Sequence, residues 1–165
     1  MEQKYSILVD SIKVKHPDAI KVSEQLYDIP CIHVNKDQMK TVVADLKESF
    51  GFNFLTDLTV VHYPDNKGQE LCGSYLFHNW VENVRLRMKV FIATEDNHLP
   101  SLVGLYKAAN WLEREAFDNF GVLYDEHPDL RRILNMDEMD YHPLLKQYAL
   151  EDESRRDKND TFFGR

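Results

Sequence analysis

Trp111-Leu-Glu-Arg-Glu-Ala-Phe-Asp-Asn-Phe-Gly121 and, a few residues on, His127-Pro-Asp-Leu-Arg-Arg-Ile-Leu134 are the stretches on which the fold turns. Leu102, Leu105, Tyr106, Ala109, Leu112, Ala116, Phe117 and Phe120 recur at steps of three and four, so the spacing predicts an amphipathic helix over 101–120. Ser101 follows Pro100 and suits an N-cap, and Gly121 can take the left-handed conformation that ends a helix. At about 100° per residue, Glu113 falls within the apolar stripe. A carboxylate taken out of water needs a partner, and Arg131 or Arg132, turned back through His127-Pro128, would supply one. Arg114, Glu115, Asp118 and Trp111 fall on the other faces. Glu113 with an arginine reads as a structural lock before it reads as a catalytic pair, because nothing nearby resembles a nucleophile. An outward Trp111 points either to a contact with another protein or to cover by the chain's own tail.

Working outward, residues 5–16 suit a short amphipathic helix stopped by Pro17, and residues 19–25 and 29–34 read as strands around a Tyr27-Asp28 turn. Asn35-x-x-Gln38 has the form of a capping box for a helix whose stripe is Met39, Val42, Val43, Leu46 and Phe50, closed by Gly51. Three strands are expected, from Phe54 to Tyr63, Leu71 to Trp80 and Val84 to Ile92, joined by hairpin-like linkers. The order α-β-β-α-β-β-β-α predicts an α+β fold, a two-layer sandwich of a largely antiparallel mixed sheet with helices. In the last strand, Val84, Leu86, Met88, Val90 and Ile92 share one face while Arg85, Arg87 and Lys89 share the other. That cationic row is either solvated and paired across strands or a docking ridge for an acidic partner.

The core domain is expected at 1–121 and an extended C-terminal arm at 122–165, because the periodicity stops at Val122. The arm is too apolar for a plain disordered tail, with Leu130, Ile133, Leu134, Met136, Tyr141, Leu144, Tyr148, Leu150, Phe162 and Phe163 among its residues. Burial of those residues on partner subunits resolves the contradiction.

With 165 residues, 43% of them hydrophobic and 29% charged, the chain has the composition of one globular domain. No apolar run reaches the roughly 20 residues that cross a bilayer, and no signal-peptide core is expected at the N-terminus. A net charge of −8 opposes nucleic-acid binding, and the six glycines form no phosphate loop. Cys31 and Cys72, on separate strands, read as reduced core thiols rather than metal or cluster ligands. His127 and His142, each before a proline and among acidic residues, invite a metal-dependent hydrolase, but they lack helical ligand spacing. His62 and His78 could meet across a hairpin as an ordinary polar pair. No catalytic, cofactor-binding or metal site is expected on this chain, and His127 is expected to fix the turn after the helix.

The signature Glu113-Arg114-Glu115, Asp118, Phe120-Gly121, His127-Pro128, Leu130-Arg131-Arg132-Ile133-Leu134 and His142-Pro143-Leu144 resembles the C subunit, or thirty-kilodalton subunit, of proton-translocating NADH:quinone oxidoreductase, respiratory complex I. Leu55 to Pro64, Arg85 to Val90, Leu99 to Leu102 and Ala109 to Trp111 extend the resemblance over most of 50–150, with departures at Asn119, at Tyr141 and at 145–147. The resemblance implies a non-catalytic structural and assembly subunit of the peripheral arm, with the signature residues from Trp111 to His142 as structural and interface positions. It implies that NADH, FMN, iron–sulfur clusters and quinone bind other subunits. The implied partners are the D, B and I subunits, D foremost, with membrane association only through the complex at the cytoplasmic face of the bacterial inner membrane. An equivalent subunit of a ferredoxin-, F420- or hydrogenase-type membrane complex is the alternative, because the donor is chosen elsewhere.

Overall fold

A computed structural model describes residues 2–148. Leu150, Phe162 and Phe163, expected in the arm, lie outside the described residues. The first helix, α1 (Glu2–Lys15), leads into β1 (Ile20–Leu26) and β2 (Ile29–Val34), and α2 (Met39–Glu48) follows a 3₁₀ turn. Strands β3 (Phe54–His62), β4 (Leu71–Asn79) and β5 (Val84–Ile92) come next, then β6 (His98–Pro100), α3 (Ala109–Phe120) and β7 (Leu123–Asp125). The sheet has the order β1-β2-β5-β4-β3. Only the β2–β5 pair in it is parallel; β1–β2, β4–β5 and β3–β4 are antiparallel. This is the α+β mixed sheet that the element order predicts. No described helix is long and apolar enough to cross a membrane.

The register sorts the side chains between two faces. Ile32, Leu58, Val60, Tyr75, Phe77, Leu86, Met88 and Val90 face the helices and join Ile12, Met39, Val42, Val43, Leu46, Leu102 and Ala109 in one core. The opposite face carries Asp57, Leu76, Arg85, Arg87 and Lys89. Period-2 alternation along β5 is complete, as its sequence predicts.

Three local expectations change. The long helix begins at Ala109, not at 101, and residues 101–108 form turns closed by Tyr106 N–H to the Leu102 carbonyl and Ala109 N–H to that of Tyr106. Ser101 caps no helix, because none starts beside it; its hydroxyl donates to Glu113 and accepts from Val103 N–H within the turn. Gly104 adds the backbone freedom that disfavours helix there. Asn35 caps nothing with its side chain; its amide donates to the Asp18 carbonyl and fixes the turn that precedes β1. His62 and His78 do not meet, since His78 pairs with Phe54 and His62 with Leu71, at opposite ends of the hairpin. Strand β7, too short for any periodicity, is invisible to pattern reading and pairs in parallel with β6.

Gly121 ends α3 with φ +77°, and a Cβ there would lie 2.7 Å from the His142 ring. Gly121→Ala therefore meets both a left-handed backbone penalty of about 1 kcal/mol and a clash that displaces His142. A drop in thermal stability, with new protease cleavage between 127 and 148, is the expected result.

Candidate functional site

Of the three carboxylates on helix α3, Glu113 and Asp118 lie on different sides and are both fully buried. Glu113 turns toward the core. Ser101 Oγ–H donates to its Oε2 at 2.7 Å and Leu102 N–H to its Oε1 at 2.7 Å. No arginine among the described residues reaches it, so the expected pairing with Arg131 or Arg132 does not form. The ionisable side chain in range is the His127 ring, 4.0 Å away. That ring is already engaged: Nε2 donates to the Asn110 carbonyl and Nδ1 accepts from Asp129 N–H. This is the turn-fixing role read from the sequence. Burial pushes the Glu113 carboxyl up to about 7, against the two hydrogen bonds that favour its charge. The buried phenols of Tyr75 and Tyr124, raised by burial and by the Glu113 charge, line the same region.

Asp118 is the carboxylate that takes the arginine. Arg132 Nη1 donates to its Oδ1 at 2.7 Å and to its main-chain carbonyl at 3.1 Å. The consecutive N–H groups of Ile133, Leu134 and Asn135 all donate to Oδ2, at 3.0, 2.7 and 2.9 Å. Burial alone would raise this carboxyl, but the three amides and the guanidinium outweigh it and hold it well below the usual carboxylate range. Arg132 then uses Nη2 to bind the carbonyls of Met139 and Tyr141, at 2.7 and 3.0 Å. One acid and one base thus organise residues 132–141.

The other signature residues extend this anchor. Arg114, expected on an outer face, is buried and donates to the carbonyls of Arg131 and Arg132 at 3.2 and 3.0 Å. Its guanidinium carbon also lies 5.2 Å from the centre of the Trp111 ring. Trp111 is 61% exposed, so its outward direction is as read, and no described part of the tail covers it. Pro128 follows His127 in the turn that returns the chain, and Arg131 pairs with Asp129 at the surface. Glu115 is exposed. His142 Nδ1 donates to the Asp118 carbonyl at 2.9 Å, and its ring packs edge-on against Phe117. Asn119 accepts from Leu144 N–H through its carbonyl. Leu134 and Met136 stay 68% and 69% exposed on the segment so fixed.

His127 and His142 are tied to opposite ends of α3, through Asn110 and Asp118, and do not form a ligand pair. Glu24, Cys31 and His33 place ligand atoms within 4.8 Å of one another across β1 and β2. There the Lys89 ammonium holds Glu24 at 3.1 Å, and burial pushes the Cys31 thiol up to about 11. The trio is accordingly a salt-linked cluster in which Glu24 is already satisfied.

A family model described as "Respiratory-chain NADH dehydrogenase, 30 Kd subunit" matches residues 32–154. The chain is 42% identical over 126 residues to the C subunit of NADH-quinone oxidoreductase from Moorella thermoacetica, covering 76% of this chain and 84% of that protein. It is 35% identical over 147 residues to the protein of the same name in Mycobacteroides abscessus, 88% of this chain but only 64% of the longer relative. Among solved structures, the trypsin-resistant fragment (1–134) of Nqo5 superposes with TM-score 0.66 at 26% identity, over 76% of this chain and 98% of the fragment. A chain of the membrane-bound sulfane sulfur reductase, an archaeal respiratory membrane complex, shares the fold at TM-score 0.76 and 22% identity, over 89% of this chain and 86% of that one.

The two carboxylates give opposite pH signatures. Glu113 keeps its proton in the native state to about pH 7, whereas an unfolded glutamate releases it near 4.5. The native state therefore binds more protons between those values, so stability is greatest below the unfolded value, falls by up to about 3 kcal/mol as pH rises to the folded one, and is level above it. Glu113→Gln keeps an acceptor for Leu102 N–H and removes this slope. Chemical denaturation at pH 5 and pH 8 reads it, and an unchanged slope in the variant would assign the effect to another group. Asp118→Asn leaves the Arg132 charge without its counter-ion, at a cost of roughly 3 kcal/mol, and exposes residues 132–141 to protease. Unaltered melting and digestion would show that the amide suffices.

Proposed function

Because the chain belongs to the family of the 30 kDa subunit of respiratory-chain NADH dehydrogenase, we propose that it is the C subunit of an NADH:quinone oxidoreductase, a structural and assembly component of the peripheral arm. In this reading it contributes no catalytic group. NADH, FMN, iron–sulfur clusters and quinone are bound by other subunits, and the chain supports electron transfer by holding those subunits in place. The D subunit is its main contact, with B and I as neighbours. The assembly lies at the cytoplasmic face of the bacterial inner membrane, reached through the complex and not through this chain.

The observation that carries the proposal is the segment anchored on Asp118. A monomer gains nothing by clamping Leu134 and Met136 outward beside an exposed Trp111, whereas an interface needs rigid apolar anchors already in position. Arg114 couples the two parts, since it stacks on Trp111 and binds the carbonyls of 131 and 132. The other buried polar groups of α3 are engaged by neighbouring residues, and the one hydroxyl beside Glu113, that of Ser101, is buried with it and closed off from solvent. Solution of the Nqo5 relative as a trypsin-resistant fragment (1–134) supports a division between a resistant core and an arm placed by partners.

The test is to tag the chain at its N-terminus, solubilise native membranes gently and weigh what co-purifies. Iron–sulfur, flavin and membrane subunits with NADH:quinone activity are expected, and recovery of the chain alone would overturn the reading. Trp111→Ala should leave melting of the isolated chain within about 0.5 kcal/mol, since the ring is mostly solvent-exposed. It should weaken association by about 2 kcal/mol, read as loss of co-purifying subunits in a salt or detergent titration.

A further inference from the structure

The helices of this chain cover one face of the five-stranded sheet, and the described residues leave the other face open. Register places its side chains in rows. Phe54, His78 and Arg85 form one row across β3, β4 and β5. Asp57, Leu76, Arg87, Cys31 and Glu24 form the next, running to β1. Thr59, Ser74, Lys89 and His33 form a third. At one corner Trp80 stacks on His78, ring centres 4.9 Å apart, and meets Phe54 edge-on at 5.6 Å. Trp80 and Phe54 are 61% and 42% exposed, so this aromatic corner is built but uncovered.

The charges on this face are unequal. Lys89 is neutralised by Glu24, which also binds His33. Arg85 and Arg87 have no carboxylate partner among the described residues, although the chain as a whole carries a net charge of −8. Asp57, in the Arg87 row, sits at the outer strand with Leu76 between them. An acidic protein that keeps two arginines unpaired among its described residues, beside exposed aromatics, presents the combination enriched at interface centres.

We infer that this open sheet face is a second docking surface, which receives an acidic amphipathic helix of a partner subunit. The spacing favours a helix. Arg85 and Arg87 are two residues apart on one strand, about 6.6 Å along it. Carboxylates at i and i+4 of a helix are about 6 Å apart, so a helix lying along β5 meets both guanidinium groups with one charged edge. Its apolar edge then rests on Leu76, Trp80 and Phe54. Five strands of up to nine residues offer about 24 by 30 Å, roughly the 800 Å² that each partner buries in a standard interface. The inference rests on the subunit reading for the source of the helix, but its surface is separate from the α3 anchor.

A photo-crosslinking residue placed at position 80, and separately at position 111, of the tagged chain in native membranes tests it. The position-80 crosslink is expected to land in an acidic helical segment of a co-purifying subunit. R85E/R87E should lower recovery of that subunit about tenfold without changing the melting temperature, and R85K/R87K should restore most of it. Crosslinks from position 80 to a second copy, to residues 149–165 of the same chain or to a segment without acidic residues would overturn the inference. So would no crosslink from position 80 while position 111 still crosslinks. Loss of both crosslinks with recovery of the chain alone would instead mark failure of the subunit reading itself. If the charge reversal unfolds the chain, the crosslink map at the exposed position 80 decides alone.

Discussion

The buried carboxylate of Asp118 is the constraint on which the second half of the molecule depends. A charge without exposure must be met by donors, and the donors it recruits are one guanidinium and three successive main-chain amides. Those amides belong to a stretch with no helix or strand to satisfy its own backbone, so each bond answers two needs at once. Arg132 passes the constraint on by fixing the Met139 and Tyr141 carbonyls. His142 closes the circuit on the main-chain carbonyl of Asp118 itself. The result is an ordered segment without regular structure, held by polar bonds beneath and free to keep its apolar side chains outside.

Glu113 shows how much the surroundings decide. It lies on the same helix and is equally buried, yet it has two donors and no lysine or arginine in contact among the described residues, so its carboxyl rises while that of Asp118 falls. The two groups act on different parts of the chain. Glu113 draws the 101–102 turn against the helix and spoils helical continuation upstream, whereas Asp118 draws in the chain downstream. Helix α3 is therefore clamped from both sides, with the His127 turn joining the two.

The strands and helices were legible because the sheet has one buried face and one open one, which imposes a clean period of two on β5 and of 3.6 on α2. The start of α3 is not legible from spacing, because Leu102 and Tyr106 are core residues at helical spacing even though their backbone is a turn; periodicity reports which side chains are buried, not which hydrogen bonds the backbone makes. Glu113 and Asp118 both stand near a basic segment in the sequence, but the spacing that favours Glu113 as the arginine's partner points to the wrong one. Apolar spacing alone puts Asp118 off the stripe, and only the fold shows that residues 132–142 cover that side. Arg114 was lost for the same reason. The one local cue is the run Arg131-Arg132, three residues past the His127-Pro128 turn, which marks a return of the chain without saying where its charge lands.

A five-stranded sheet with helices on one side has a geometric consequence for assembly. Its covered side gains rigidity from the core, and α3 with the segment on Asp118 forms the outer surface there. Its other side, which the described residues leave open, inherits that rigidity, so Arg85, Arg87 and the Phe54–Trp80 corner are held in fixed relation by the strand register. Preorganised side chains lose little entropy on binding, and this applies equally to Trp111, braced by Arg114 on the other side. In the subunit role proposed above, the chain would act through stiffness, setting the surfaces on its two sides at a distance fixed by one sheet and one helix layer. Softening either clamp on α3 would change that spacing before it unfolded the domain, so loss of assembly should precede loss of fold.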